Sequence, residues 1–128
     1  MTVHNLNHIF RCPICGNIVE VCHVGGGTLV CCGKPMEQLT EKNKDVGMEK
    51  HVPIIEKDKE GVIIKVGSIA HPMEEKHYIE FIEIMTEKGI SRKYLKAGDK
   101  PEVRFPIKNF KELTARAYCN IHFLWKNN

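Results

Sequence analysis

Cys12 and Cys15 stand two residues apart, and fifteen residues further on the adjacent pair Cys31-Cys32 answers them. The spacing C-x2-C-x15-C-C offers four thiolates to one tetrahedral metal ion, and four sulfurs suit either Zn or Fe. A C-x2-C step turns the backbone so that both sulfurs point the same way. Gly16 and Gly33 follow the two pairs and supply permissive dihedrals. Side chains of neighbouring residues normally diverge, so the adjacent pair predicts a stretched S–metal–S angle and a site unlike an ordinary zinc ribbon. A purely structural metal clip is the plain alternative, and spacing alone leaves it open.

A second set lies further along. His51 follows Glu49-Lys50, His71 stands in Ala70-His71-Pro72-Met73, and His77 follows Glu74-Glu75-Lys76. Near the end, Cys119-Asn120-Ile121-His122 puts a thiol and an imidazole on one turn, a ligand step with suitable reach. Each histidine alone is an ordinary surface or core residue. Together, four imidazoles and one thiolate are too many for tetrahedral zinc and suit iron: four nitrogens in a square, an axial sulfur, one open position. A thiolate opposite an open position pushes electron density toward whatever binds there, as in thiolate-ligated haem enzymes.

These residues need elements to hold them. The chain has 128 residues, room for a small metal-stapled module and one ordinary domain. The first part, through Gln38, holds five of the six cysteines and little else that could make a core. Residues 18–21 and 28–30 read as short strands around the Gly25-Gly26-Gly27 turn. With no following helix and no Lys-Ser/Thr, that turn is no phosphate loop. So small a segment depends on its metal for stability. Thr40 to Gly47 is charged and apolar-poor and reads as a linker. Beyond it, residues 52–55, 62–66, 77–84, 103–105 and 113–118 read as strands between Gly and Asp-Lys turns, the pattern of an antiparallel sandwich. In the third of these, Ile79 and Phe81 share one face and Ile82 and Ile84 the other, which asks for two covered faces or a bulge. No capped amphipathic helix and no repeat is visible.

Composition excludes other classes. The 19 basic and 16 acidic residues nearly balance, with no arginine-rich run, so nucleic acid is not expected. No apolar run reaches the ~18 residues of a membrane helix, and the first residues lack a signal pattern. Six cysteines in that setting indicate metal ligands in a reducing cytoplasm rather than disulfides.

Taken in order, Cys12-x2-Cys15-x15-Cys31-Cys32, Met48-Glu49-Lys50-His51-Val52-Pro53, His71-Pro72-Met73-Glu74-Glu75-Lys76-His77 and Tyr118-Cys119-Asn120-Ile121-His122 resemble desulfoferrodoxin, the two-iron form of superoxide reductase. The resemblance spans essentially the whole chain. It implies a mainly β protein: a desulforedoxin- or rubredoxin-like Fe(Cys)4 domain over 1–38, then an immunoglobulin-like β-sandwich over 39–128 with an Fe(His)4Cys centre. It makes Cys12, Cys15, Cys31 and Cys32 ligands of the first iron. His51, His71, His77 and His122 become equatorial ligands of the second and Cys119 its axial thiolate. Lys50 becomes the cation that attracts superoxide, and Glu49 the carboxylate able to close the sixth position. The implied activity is one-electron reduction of superoxide to hydrogen peroxide, for oxidative-stress defence, with a rubredoxin-like electron donor and a homodimeric assembly. Cys22, His4, His8 and His23 fall outside the motifs, and Phe123 and Trp125 are expected as an apolar shell near the iron. A zinc-ribbon interaction module and a two-centre electron carrier are the rival classes.

Overall fold

Short apolar pairs set in a cysteine-rich stretch give short strands. The computed structural model describes residues 3, 5–44 and 50–128, and the chain separates into two units, Met1–Thr40 and Glu41–Asn128. In the first unit the strands are β1 (Ile9–Arg11), β2 (Ile18–Glu20), β3 (Val30–Cys31), β4 (Lys34–Pro35) and β5 (Glu37–Gln38). β1 is the centre of a three-stranded sheet ordered β2-β1-β5, while β3 and β4 form a separate hairpin. Among the described residues Val3, Phe10, Cys12, Val21 and Met36 form a small buried cluster here, with Leu29 and Cys31 against them. A core this small includes a cysteine of the four-sulfur cluster, so cluster and core are one object.

The second unit holds β6 (Pro53–Asp58), β7 (Gly61–Val66), β8 (Ile79–Thr86), β9 (Gly89–Tyr94), β10 (Glu102–Phe105), β11 (Thr114–Cys119) and β12 (Phe123–Lys126). They make two antiparallel sheets, β10-β7-β6 and β12-β11-β8-β9, packed as a sandwich of immunoglobulin-like type. Val62, Ile64 and Val66 from one sheet meet Ile82, Ile84, Ala115 and Ala117 from the other. The β6–β7 hairpin turns tightly because Asp58 Oδ1 accepts the N–H groups of Glu60 and Gly61 at 2.9 and 3.1 Å. Gly61 has φ +148°, and a Cβ there would stand 2.2 Å from the Phe105 carbonyl oxygen, so only glycine fits.

A bulge resolves the ambiguity in β8. Tyr118 pairs with Phe81, but Cys119 pairs with Ile79, so Glu80 is skipped. Ile79 therefore joins Ile82, Ile84 and Cys119 in the core, while Phe81 stacks on Tyr118 on the other face. The expectation that Ile79 and Phe81 share a face fails at this one-residue slip.

Two further expectations change. β9 and β12 are edge strands that alternation did not reveal. The predicted linker is in part structure: Lys42 pairs with Trp125 as a parallel bridge, and Glu41 makes an ion pair with Arg116 at 3.2 Å. Its residues 45–47 lie outside the described residues. Among the described residues no helix is long and apolar enough to cross a membrane.

Candidate metal centres

Four sulfurs converge in the first unit. Cys12 opens a knuckle in which its own carbonyl accepts Gly16 N–H at 3.0 Å and its N–H donates to Asn17 O at 2.9 Å. The knuckle turns its amides inward: Ile14 and Cys15 N–H both donate to Cys12 Sγ at 3.4 Å, and Asn17 N–H donates to Cys15 Sγ at 3.5 Å. Gly16 takes φ +80°, and opposite it Cys32 and Gly33 take +53° and +74°. The left-handed turn at Cys32 is how two adjacent cysteines come to face one point, at a conformational cost of about 1–2 kcal/mol for a residue with a Cβ.

The ligand atoms of Cys12, Cys15, Cys31 and Cys32 all lie within 4.8 Å of one another. Cys15 Sγ and Cys31 Sγ are 3.6 Å apart, close to the ~3.8 Å edge of a tetrahedron built from ~2.3 Å metal–sulfur bonds. Amide donation, led by Cys15 N–H, pulls the Cys12 thiol down to about 6. Cys32 is pushed up to about 12, first by its contact with Cys15 and then by Cys12 and Cys31. One thiolate is thus prepared, while those of Cys31 and Cys32 are resisted by their neighbours. A cation at the centre removes that resistance, which is the behaviour of a metal cluster.

In the second unit the two sheets deliver imidazoles from three segments. His51 lies two residues before β6, His71 and His77 lie in the loop between β7 and β8, and His122 closes the turn between β11 and β12. The ring centroids form a closed circuit: His51–His71 4.6 Å, His71–His77 4.8 Å, His77–His122 5.2 Å and His122–His51 4.7 Å. Across it, His51 and His77 are 6.4 Å apart, longer than every side as a square's diagonal must be. Adjacent rings meet edge to face, at 63–83°. His51 Nε2 and His122 Nδ1 are 3.1 Å apart, near the ~3.0 Å between neighbouring ligands that sit ~2.1 Å from one ion at right angles.

Cys119 is fully buried, with Sγ 3.9 Å from His122 Nδ1. His122 N–H donates to that sulfur at 3.5 Å. His51, His77, Cys119 and His122 offer ligand atoms within 4.8 Å of one another; His71 stands in the ring circuit but outside that tighter set. Its Nδ1–H donates to Pro72 O at 2.7 Å, which leaves Nε2 as the nitrogen with a lone pair.

Neighbouring residues fix this geometry. Asn120 ties the turn to the His77 loop through Tyr78 N–H to Oδ1 at 2.9 Å and Nδ2 to Lys76 O at 3.0 Å. Trp125 stacks on His51 at 4.5 Å and 14°, and its Nε1–H donates to His122 O at 3.0 Å. Lys42 Nζ donates to the same carbonyl at 3.0 Å and lies 5.2 Å from the Trp125 ring centre. Phe123 stacks on Tyr118, ring centroids 6.2 Å apart. Lys50 is set in place by Gly67, where a Cβ would come within 2.8 Å of Lys50 Cβ. Glu49 lies outside the described residues. Sequence reasoning missed Asn120 and Lys42; an Asn inside a C-x2-H turn was the one available signal for the first.

Fold and sites together define a mainly β metalloprotein with a four-sulfur centre in one unit and an imidazole–thiolate centre in the other. Residues 43–128 match the family model described as Desulfoferrodoxin, and residues 4–39 match its N-terminal domain. A desulfoferrodoxin of Nitratidesulfovibrio vulgaris is 54% identical over 122 residues, 95% of this chain and 96% of the relative. A desulfoferrodoxin homolog of Archaeoglobus fulgidus is 53% identical over 119 residues, 93% and 94% of the two chains. The crystal structure of the superoxide reductase from Treponema pallidum superposes with TM-score 0.78 at 28% identity, covering 97% of this chain and 98% of that one. The chain belongs to the desulfoferrodoxin family, and its two donor sets match the two irons of that family.

Proposed function

We propose that the chain is a superoxide reductase: superoxide, one electron and two protons give hydrogen peroxide, with no oxygen released. The observation that carries this reading is the ring of four imidazoles with a buried thiol beside it. His51, His71, His77, His122 and Cys119 would hold one iron, and Cys12, Cys15, Cys31 and Cys32 would hold the other. Ferrous iron bound there would supply the electron.

The protein's own residues do the rest. Cys119, buried and accepting the His122 N–H, would donate charge to an iron held there. The Pro72 carbonyl fixes the tautomer of His71. Lys50 would draw the superoxide anion to the site by its charge, and Glu49 would be the carboxylate able to ligate the bound iron. The net reduction requires an outside donor, for which a rubredoxin-like carrier is the partner; nucleic acid and membrane have no part. The same reading takes the protein as cytoplasmic, with its described cysteines all free of disulfides, as a homodimer, and as part of oxidative-stress defence.

Cys119→Ser tests it. The iron-loaded variant loses the sulfur-to-iron absorption of its oxidised second centre and most of its turnover, whereas wild type yields peroxide in step with superoxide consumed. A variant keeping both, or a wild type that consumes superoxide without that peroxide, overturns the reading.

A further inference from the structure

Lys42 belongs to a charged stretch that reads as a tether, yet its main chain is fixed on both sides. Its N–H donates to Leu124 O at 3.0 Å and its carbonyl accepts Lys126 N–H at 2.8 Å. This registers Lys42 beside Trp125, the residue between those two partners. Next to it Glu41 is tied to the buried Arg116. A stem of four methylenes then carries the ammonium back to the His122 carbonyl, which also receives Trp125 Nε1–H. Lys42 thus touches two things that bear on the ring of imidazoles. One is the carbonyl of His122, and the other is the indole that lies flat on His51.

We propose that Lys42 is a positioning residue for the histidine centre: through the Trp125 ring and the His122 carbonyl it sets the orientation of the two imidazoles that stand 3.1 Å apart. The role needs both a cation and a long stem. Removing the ammonium leaves Trp125 held by its own Nε1–H and lets the indole rock, and His51 rocks with it. Partners that orient ligands typically change metal affinity by about 10- to 100-fold when lost. The inference rests on the reading that His51 and His122 are metal ligands, so its test must separate the two.

Trp125 is the only tryptophan of the chain, and its stacking on His51 makes its emission a local reporter. Metal-free full-length wild type, Lys42→Met, Lys42→Arg and Lys44→Met are titrated with Co(II) against a competing chelator, with Trp125 quenching as the signal. Acrylamide quenching of the same metal-free samples is measured alongside. Lys42→Met is expected to bind about tenfold more weakly and to expose Trp125 to acrylamide. Lys42→Arg restores both values, and Lys44→Met matches wild type throughout. A Lys42→Met titration that overlays wild type overturns the proposal, as does a Lys42→Arg chain no better than Lys42→Met. If wild-type emission ignores Co(II), the metal reading of this centre fails instead. Lys42 is then judged by acrylamide alone: unequal quenching supports the clamp and equal quenching refutes it.

Discussion

Replacing Glu83 by Leu tests how far the sandwich depends on charge it has buried. Glu83 is 0% and Arg116 2% exposed, in the middle of neighbouring strands, β8 and β11. Glu83 Oε1 accepts Arg116 Nε–H at 2.8 Å, and Oε2 accepts Arg92 Nε–H at 3.0 Å and pairs with Arg92 Nη2 at 2.8 Å. Glu83→Leu removes the carboxylate that both guanidiniums share and leaves the buried Arg116 to its weaker, part-exposed pair with Glu41, a loss of about 3 kcal/mol, the low end for a broken buried pair. Arg116→Leu leaves Glu83 still held by Arg92, so the expected loss falls to about 1–3 kcal/mol. In the double variant Arg92, 28% exposed on its side chain, can turn toward solvent. Two leucines then fill the buried space, and the combined loss is smaller than the sum of the singles by at least ~1 kcal/mol. Urea unfolding followed by Trp125 reports this unit alone, and the Glu83→Leu midpoint is expected to fall by roughly 2 M. Strict additivity, or a shift in Glu83→Leu below about 0.5 M, refutes the reasoning.

Two further outcomes are expected. Lys50→Ala slows the second-order reaction with superoxide about tenfold at low salt and flattens its ionic-strength dependence; unchanged rapid-mixing rates make Lys50 an ordinary surface lysine. Asp58 has its carboxyl held below its ordinary 3.8 by the Arg104 guanidinium. Its contribution is therefore full above pH 3.8 and is lost as pH falls through the lowered value. Asp58→Asn keeps the Oδ1 that caps the β6–β7 turn, so its urea midpoint should trail wild type at neutral pH and converge with it in acid; a gap that persists or widens in acid contradicts the pairing.

The donor sets were legible because ligand type and spacing are covalent facts, and every sulfur of the C-x2-C-x15-C-C pattern converges as its spacing implies. Strands dense in β-branched residues, such as Val62 to Val66, were equally plain. β9 was hidden because Gly-Ile-Ser-Arg-Lys-Tyr is an exposed edge with few apolar residues. β12 was hidden because Phe123 and Trp125 look like site lining until their pairing is seen. Glu83 and Arg116 stand on the face opposite the core, where alternation puts polar residues, and are paired there with groups distant in the sequence. Alternation can announce that β8 changes phase but not where, since the slip is set by pairing with β11. Lys42 was invisible for a related reason: its partners at 122 and 125 lie some eighty residues away in the chain.

The two clusters also differ in the length of chain each one joins. Cys12 meets Cys31 across 19 residues, whereas His51 meets His122 across 71. An ion bridging the longer span withdraws about 1 kcal/mol more freedom from the unfolded polymer than one bridging the shorter. It also cannot be captured until both sheets have found each other, because its donors come from opposite ends of the second unit. The sulfur cluster can close as soon as its own hairpins emerge during synthesis. Loop length alone thus predicts an order of capture: the first ion early and locally, the second only as the last strand docks.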